Sequence, residues 1–439
     1  MLTVESRPLT AAGHLEIGGC DAVALAAEYG TPLYVLDEGR IRERCRTWRQ
    51  AFESRYPSVD VEYAGKAFLC LAMARLVDEE GLNLDVASAG ELYTARQAGF
   101  PPARLVLHGN NKSLLELEMA VGAGVGRIVV DNLAELDLLA GVAATLPAAG
   151  RPPQEVLIRV IPGVDPHTHR RIRTGQVDTK FGLSLTSGAA LDAVRQAVGT
   201  PGLLFTGIHG HVGSNLHDAT AHLQALEAML DFAVAIRDET GLNVEELNLG
   251  GGLGVPYLPG ESVLPVDRFA AALTEALVEG LAVRHLPQPR LLLEPGRAIV
   301  AEAGVTLYTV GAIKDVPVPE APGTRRYVAV DGGMSDNPRP QLYDAVYTAF
   351  LANRAGETPD TEVRIAGKHC ETDVLIGSVA VPDPRPGDLL AVPVTGAYTY
   401  AMASNYNRLP RPAVVFARDG AARLVVRRET LEDLIRNDA

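Results

Sequence analysis

A (β/α)8 barrel joined to a β-rich second domain is the fold this chain predicts, and three observations point to it. Apolar strand-like runs alternate with helical patterns about eight times between residues 59 and 298. Several of those runs are near-continuous Val/Ile/Leu, as expected of parallel strands buried on both faces. The runs stop at chemically capable or glycine-rich residues, from Lys66 to Glu294-Pro295-Gly296-Arg297, and a barrel enzyme builds its site from strand ends.

In order, the expected strands are 59–66, 82–88, 105–110, 127–131, 156–161, 203–211, 246–249 and 290–294. Helical patterns fall at 71–77, 90–96, 114–121, 133–142 and 220–238. Beyond residue 300 short β-branched stretches separated by Pro and Gly take over, at 326–330, 374–381, 388–394 and 413–418. Asp419-Gly420 is a hairpin signal. Residues 31–37 are also extended and precede a helix at 40–52, so they are expected to pair with the C-terminal strands. The expected division is a barrel over 41–302 and a discontinuous β-rich domain from 1–40 and 303–439.

With 439 residues and 47% hydrophobic content the chain can bury two sizeable cores. Its net charge of −14 argues against nucleic acid or an anionic membrane as a partner. Cys20, Cys45, Cys70 and Cys370 are too few and too scattered for a disulfide framework or a structural zinc site. Without a signal-peptide pattern or a membrane-length apolar run, a cytoplasmic setting is expected.

Lys66 ends an apolar strand and suits a Schiff-base amine or a phosphate counter-ion; taken alone, a solvated strand-end lysine is the better reading. Gly250-Gly251-Gly252-Leu253-Gly254 follows the seventh strand, where glycines let backbone N–H groups approach a phosphate, or simply make a tight turn. Val255 and the late position argue against a dinucleotide fingerprint. Glu294 could pair with a protonated heterocyclic nitrogen or form a salt bridge to Arg297. His209-Gly210-His211 places two imidazoles on one strand face. That resembles a metal-hydrolase pair, yet the further ligands such a site needs are sparse; a ring from His211 stacked on a planar cofactor is the alternative. His167 and His169, beside Arg170 and Arg171, read as a solvated loop. Cys370, flanked by Lys368, His369 and Glu371, is either a buried apolar residue or a tuned thiol.

Together these landmarks resemble the diaminopimelate decarboxylases. They belong to the barrel-type pyridoxal-phosphate family, with its alanine racemase-like two-domain architecture, that also includes the ornithine and arginine decarboxylases. The resemblance is carried by Tyr63–Phe68, Asp85–Leu92, His108–Ser113, Lys180–Gly182, His209–Ser214, Gly250–Gly252, Glu294–Arg297, Asp331–Met334, Arg339-Pro340, Cys370-Glu371 and Gly396–Tyr398. It implies pyridoxal 5'-phosphate as cofactor, no metal, an amino-acid substrate and a homodimer with shared active sites. By the same resemblance Lys66 holds the cofactor covalently, His211 stacks on its ring and Glu294 pairs with its nitrogen. Asp85, Ser214, Gly252, Gly296, Arg297 and Tyr398 complete the cofactor set. Arg297, Arg339, Tyr343, Glu371 and Tyr398 would bind substrate, and Cys370 would be the general acid, with Cys370 and Glu371 supplied by the partner subunit. Asn215 and Ser335–Pro338 depart from the family pattern. Competing readings are a relative acting on a carrier-tethered amino acid and a non-catalytic cofactor-binding homologue.

Overall fold

The computed structural model describes residues 8–146, 150–164, 179–318 and 323–439, so His167 and His169 lie outside the described residues. By internal contacts the chain forms two compact units. One comprises Cys45–Gly254 with Val263–Gly296; the other comprises Met1–Arg44, Val255–Ser262 and Arg297–Ala439.

The first unit is a closed parallel barrel of eight strands: Val59–Ala64, Asn83–Val86, Leu105–Leu107, Arg127–Val130, Gln154–Ile161, Leu203–Gly210, Glu246–Asn248 and Arg290–Leu293. Each pairs with its neighbour in chain order, and the last closes on the first through Leu291–Leu293 against Val59–Val61. All eight expected strands are present. Helices follow them because the loops carry the right start signals. Ser88, Ser113 and Asn132 each accept a hydrogen bond from the backbone N–H of the glutamate three residues on, Glu91, Glu116 and Glu135. Two helices of this unit went unread in the sequence: Ala189–Gly199 and the 19-residue Val266–Arg284.

The second unit is β-rich. Its spine is the 14-residue strand Gly304–Pro317, which the sequence reading did not separate. Its first half lies between Leu33–Asp37 and Leu389–Pro393; its second half forms a hairpin with Thr324–Val330. Leu33–Asp37 also pairs in parallel with Ala413–Arg418, which turns at Asp419-Gly420 into Ala421–Val426. A buried cluster including Leu15, Leu33, Val35, Val305, Leu307, Leu389 and Val415 packs this sheet. No helix among the described residues is long and apolar enough to cross a membrane.

Candidate active site

Lys66 lies in a single 3-10 turn, Gly65–Ala67, that leaves the first barrel strand. Its side chain is exposed while both neighbours are buried. Buried Tyr63 fixes the turn by donating its hydroxyl to the Phe68 carbonyl at 2.9 Å. Gly296 approaches the same turn so closely that a Cβ there would lie 3.0 Å from the Cβ atoms of both Ala64 and Ala67. The loops after strands six and seven are laced together by Leu216 N–H to the Gly252 carbonyl (2.9 Å) and Gly254 N–H to the Leu216 carbonyl (2.8 Å). Gly252 has φ +116°, and a Cβ would meet the Gly213 carbonyl oxygen at 2.6 Å. Only glycine fits. The Gly213 that meets Gly252 directly precedes Ser214 in the chain.

Glu294 follows the eighth strand and is almost fully buried. Asn248 Nδ2 donates to its Oε1 at 2.9 Å and His209 Nε2 to its Oε2 at 3.3 Å. His108 Nε2 lies 3.1 Å from Oε1. Burial alone would raise this carboxyl, but His108 and His209 more than offset it and hold it well below the usual carboxylate range. Burial presses the His209 imidazole down to about 4 against the pull of Glu294, so at neutral pH it donates as a neutral ring. Asn248 also donates to Glu62 Oε2 (3.1 Å) and accepts from Gly250 N–H (2.8 Å). Glu62 is pushed the other way, well above the ordinary value, by burial and then by Glu294. Burial and mutual repulsion thus set the two carboxyls apart, with Glu294 the one held toward the ionised form. Behind it Arg127 clasps Glu246 through two hydrogen bonds, 2.7 and 2.5 Å, and reaches Asp60 at 3.2 Å.

His211 stands just past the sixth strand, half-buried. Its Nδ1 accepts from Gly251 N–H at 3.3 Å. Burial, then the charges of Lys66 and Arg159, keep it far below its ordinary value, so the ring is neutral. Asp85 lies next to the last residue of the second strand, buried, 3.9 Å from His108 Nε2. Its carboxyl is raised by burial, with His108 and Lys66 pulling it back. His209 and His211 therefore part company: the first serves Glu294, the second the loop after strand seven. His108, His209 and Glu294 offer ligand atoms within 4.8 Å of one another. Their separations are those of donors around a carboxylate, and Asn248 donates to the same oxygen, so the trio is built as a charge clamp.

In the second unit Arg339 and Tyr343 begin and end one short helix and share a face by their i, i+4 spacing. The Arg297 guanidinium lies 4.8 Å over the Tyr398 ring, and Tyr398 holds a left-handed backbone angle, φ +59°. For a bulky residue that costs about 1–3 kcal/mol, strain of a kind that gathers at functional sites. Cys370 and Glu371 are exposed. Their loop is anchored by Asp373, which accepts from His369 Nδ1 at 2.5 Å and from Met334 N–H at 2.8 Å. Cys370 N–H donates to Asn407 Oδ1 (3.2 Å), and the Tyr406 hydroxyl donates to Glu371. The loop at Ser335–Pro338 is shaped by buried Asp336, whose carboxylate accepts from Gly333 N–H at 2.8 Å and from the Tyr308 hydroxyl.

Sequence reasoning passed over His108, Asn248, Arg159 and the tyrosines Tyr257 and Tyr347. His108 was within reach, since it ends an apolar strand as Lys66 and Glu294 do. Lys112 in the same stretch proves structural: buried, it donates to the carbonyls of Gly109 and Val129 and to Glu135 at 2.6–2.8 Å.

The barrel's residues fit pyridoxal phosphate. Lys66 supplies the amine, ionised Glu294 an acceptor with lone pairs to spare for a protonated ring nitrogen, His211 a neutral flat ring, and the Gly252 loop a backbone approach for phosphate. Fold and site define a barrel enzyme of the pyridoxal class. The family described as "Pyridoxal-dependent decarboxylase, pyridoxal binding domain" matches residues 38–301. The diaminopimelate decarboxylase of Halalkalibacterium halodurans is 48% identical over 97% of this chain and 95% of its own length. That of Actinosynnema pretiosum is 50% identical over 97% and 93%. The crystal structure of the M. jannaschii diaminopimelate decarboxylase in co-complex with L-lysine covers 100% of this chain and 99% of its own, at 34% identity and a TM-score of 0.90. The chain belongs to the diaminopimelate decarboxylase family.

One pH effect arises here. His222, on the helix Thr220–Thr240, donates Nε2–H to the Gly251 carbonyl at 2.8 Å. Burial holds it, like His209, at about 4 against an ordinary 6.5. Between those values the unfolded chain takes protons that the folded chain refuses, so stability is present above 6.5 and lost as pH falls toward 4. Each histidine contributes about 1.4 kcal/mol per pH unit at most. Denaturant unfolding at stepped pH is expected to show this slope, and His222→Gln, which keeps an N–H donor, is expected to make it shallower. An unchanged slope would contradict the buried neutral state.

Proposed function

We infer that this chain catalyses the pyridoxal 5'-phosphate-dependent decarboxylation of meso-2,6-diaminopimelate to L-lysine and CO2, the last step of lysine biosynthesis by the diaminopimelate route. The observation that carries it is Glu294. A carboxylate buried yet kept ionised at a barrel strand end, in a chain matching diaminopimelate decarboxylases over 97% of its length, suits a protonated heterocycle.

Bound cofactor supplies a sink for the electron pair that CO2 leaves behind. Lys66 tethers it, Glu294 keeps a proton on the ring nitrogen, and His211 and Asp85 fix the ring's place. Ser214, Gly252, Gly296, Arg297 and Tyr398 hold the phosphate. Arg297, Arg339, Tyr343 and Tyr398 bind the substrate, the arginines gripping its distal carboxylate, and Glu371 takes the distal amine. Cys370 delivers a proton to Cα as general acid. The exposure of Cys370 and Glu371 suits donation to a partner's site, and the working unit is proposed to be a homodimer. The proposed division of labour is a cofactor barrel over 41–302, completed by residues 1–40 and 303–439. A net charge of −14 and four scattered cysteines favour a cytoplasmic enzyme without nucleic-acid or membrane partners.

Purified enzyme supplied with pyridoxal phosphate is expected to form lysine from meso-diaminopimelate. Ornithine and lysine, which lack the distal carboxylate, should be disfavoured by about 10⁴-fold in kcat/KM, the penalty for leaving buried polar groups unpaired. Bound cofactor without turnover of diaminopimelate would discard the substrate and direct attention to tethered amino acids.

A further inference from the structure

Arg297 and Arg339 are 6% and 7% exposed. A guanidinium that deep ordinarily lies against a carboxylate. Around Arg339 the contacts are with phenols. Arg339 Nη1 donates to the Tyr347 hydroxyl at 2.6 Å and stacks 4.9 Å over the Tyr257 ring. Arg297 Nη1 donates to the Tyr257 hydroxyl. The two rings meet edge to face, with centroids 5.4 Å apart and planes at 89°. Among the described residues no carboxylate pairs with Arg339; the groups acting on it are Tyr347 and Tyr257. Both tyrosines are buried.

The choice of phenol has a chemical consequence. A carboxylate beside a buried arginine would orient it and also cancel its charge. A phenol accepts the same hydrogen bond, offers a π face to the cation and stays neutral. Burial reinforces this by pushing the Tyr347 hydroxyl above its ordinary value, with Arg339 pulling the other way.

We propose that Tyr257 and Tyr347 are positioning residues for substrate selection, aiming the Arg339 guanidinium without adding negative charge, so that its cation is spent on the substrate's distal carboxylate. The proposal rests on the assignment of that carboxylate to Arg297 and Arg339 above. A substrate with a neutral or cationic far end would leave the buried Arg339 charge uncompensated. Selection for a dicarboxylate is thus written partly in two side chains that need not touch it.

The test uses the full-length holoenzyme and three substitutions, Tyr257→Phe, Tyr347→Phe and Arg339→Gln. Each phenylalanine keeps its ring and loses only the hydroxyl. Each is expected to raise KM for meso-diaminopimelate about tenfold, the effect of one hydrogen bond to a charged group, while kcat, cofactor affinity and melting temperature stay near wild type. Arg339→Gln should raise KM further. If both phenylalanine variants keep wild-type KM while Arg339→Gln loses it, the phenols only pack and the proposal fails with the substrate reading intact. If they lower kcat and melting temperature without moving KM, their role is structural and the proposal also fails. If Arg339→Gln itself leaves KM unchanged, the distal-carboxylate assignment falls, and this proposal with it.

Discussion

Replacing Lys66 with alanine should reduce turnover by on the order of 10⁴-fold or more and remove the covalent hold on the cofactor. Borohydride treatment followed by intact mass measurement reads the second effect directly: wild-type protein gains the mass of the reduced cofactor, and Lys66→Ala does not. The expectation rests on position as much as on residue type. Lys66 is the exposed residue of a turn whose flanks, Gly65 and Ala67, are buried, and Tyr63 and Gly296 pin that turn from two sides. Its charge is felt by both His211 and Asp85, which places the amine among the groups assigned to the cofactor. Because the side chain is exposed, its loss should cost the fold within about 0.5 kcal/mol. An inactive protein with a wild-type melting curve is therefore the informative result. Activity near wild type would end the assignment.

The barrel was legible because its strands are buried on both faces, so runs such as Arg127–Val130 and Leu203–Gly210 stand out without any periodicity. The strand-end rule then led to Lys66 and Glu294. Other elements were hidden for physical reasons. The helix Val266–Arg284 exposes Val278 and Val283, which blurs its apolar stripe, and Ala189–Gly199 is rich in alanine, which marks neither face. The strand Gly304–Pro317 is buried through its first half and largely exposed through its second, so it presents two different patterns along one element. The His209–Glu294 contact joins residues 85 apart. Tyr257 reaches Arg297 across 40 positions and Arg339 from further still. No local pattern can announce a partner at that separation; a strand-end polar residue can at most be flagged as unexplained. Asn248 shows the limit well. In sequence it is one more polar residue before a glycine run, whereas in the fold it ties Glu62, Glu294 and Gly250 together.

Glu294→Gln is the second large effect, and it separates charge from shape. The amide occupies the same space as the carboxylate, yet it replaces an acceptor with a donor in a pocket already furnished with donors from Asn248 and His209. One hydrogen bond is converted into a clash of N–H groups, which should lower stability by about 1–3 kcal/mol. The catalytic loss is separate and larger. On the proposed pairing of Glu294 with the ring nitrogen, loss of the anion would leave that nitrogen's proton unsupported, and kcat is expected to fall by about 10²–10³. Measuring kcat at saturating cofactor and well below the melting temperature keeps the two losses apart. Because Glu294 is held well below the usual carboxylate range, wild-type kcat should show no ionisation from this residue between about pH 6 and 8. A Glu294→Gln enzyme with undiminished kcat would show that the clamp of His108, His209 and Asn248 preserves a charge the reaction does not use.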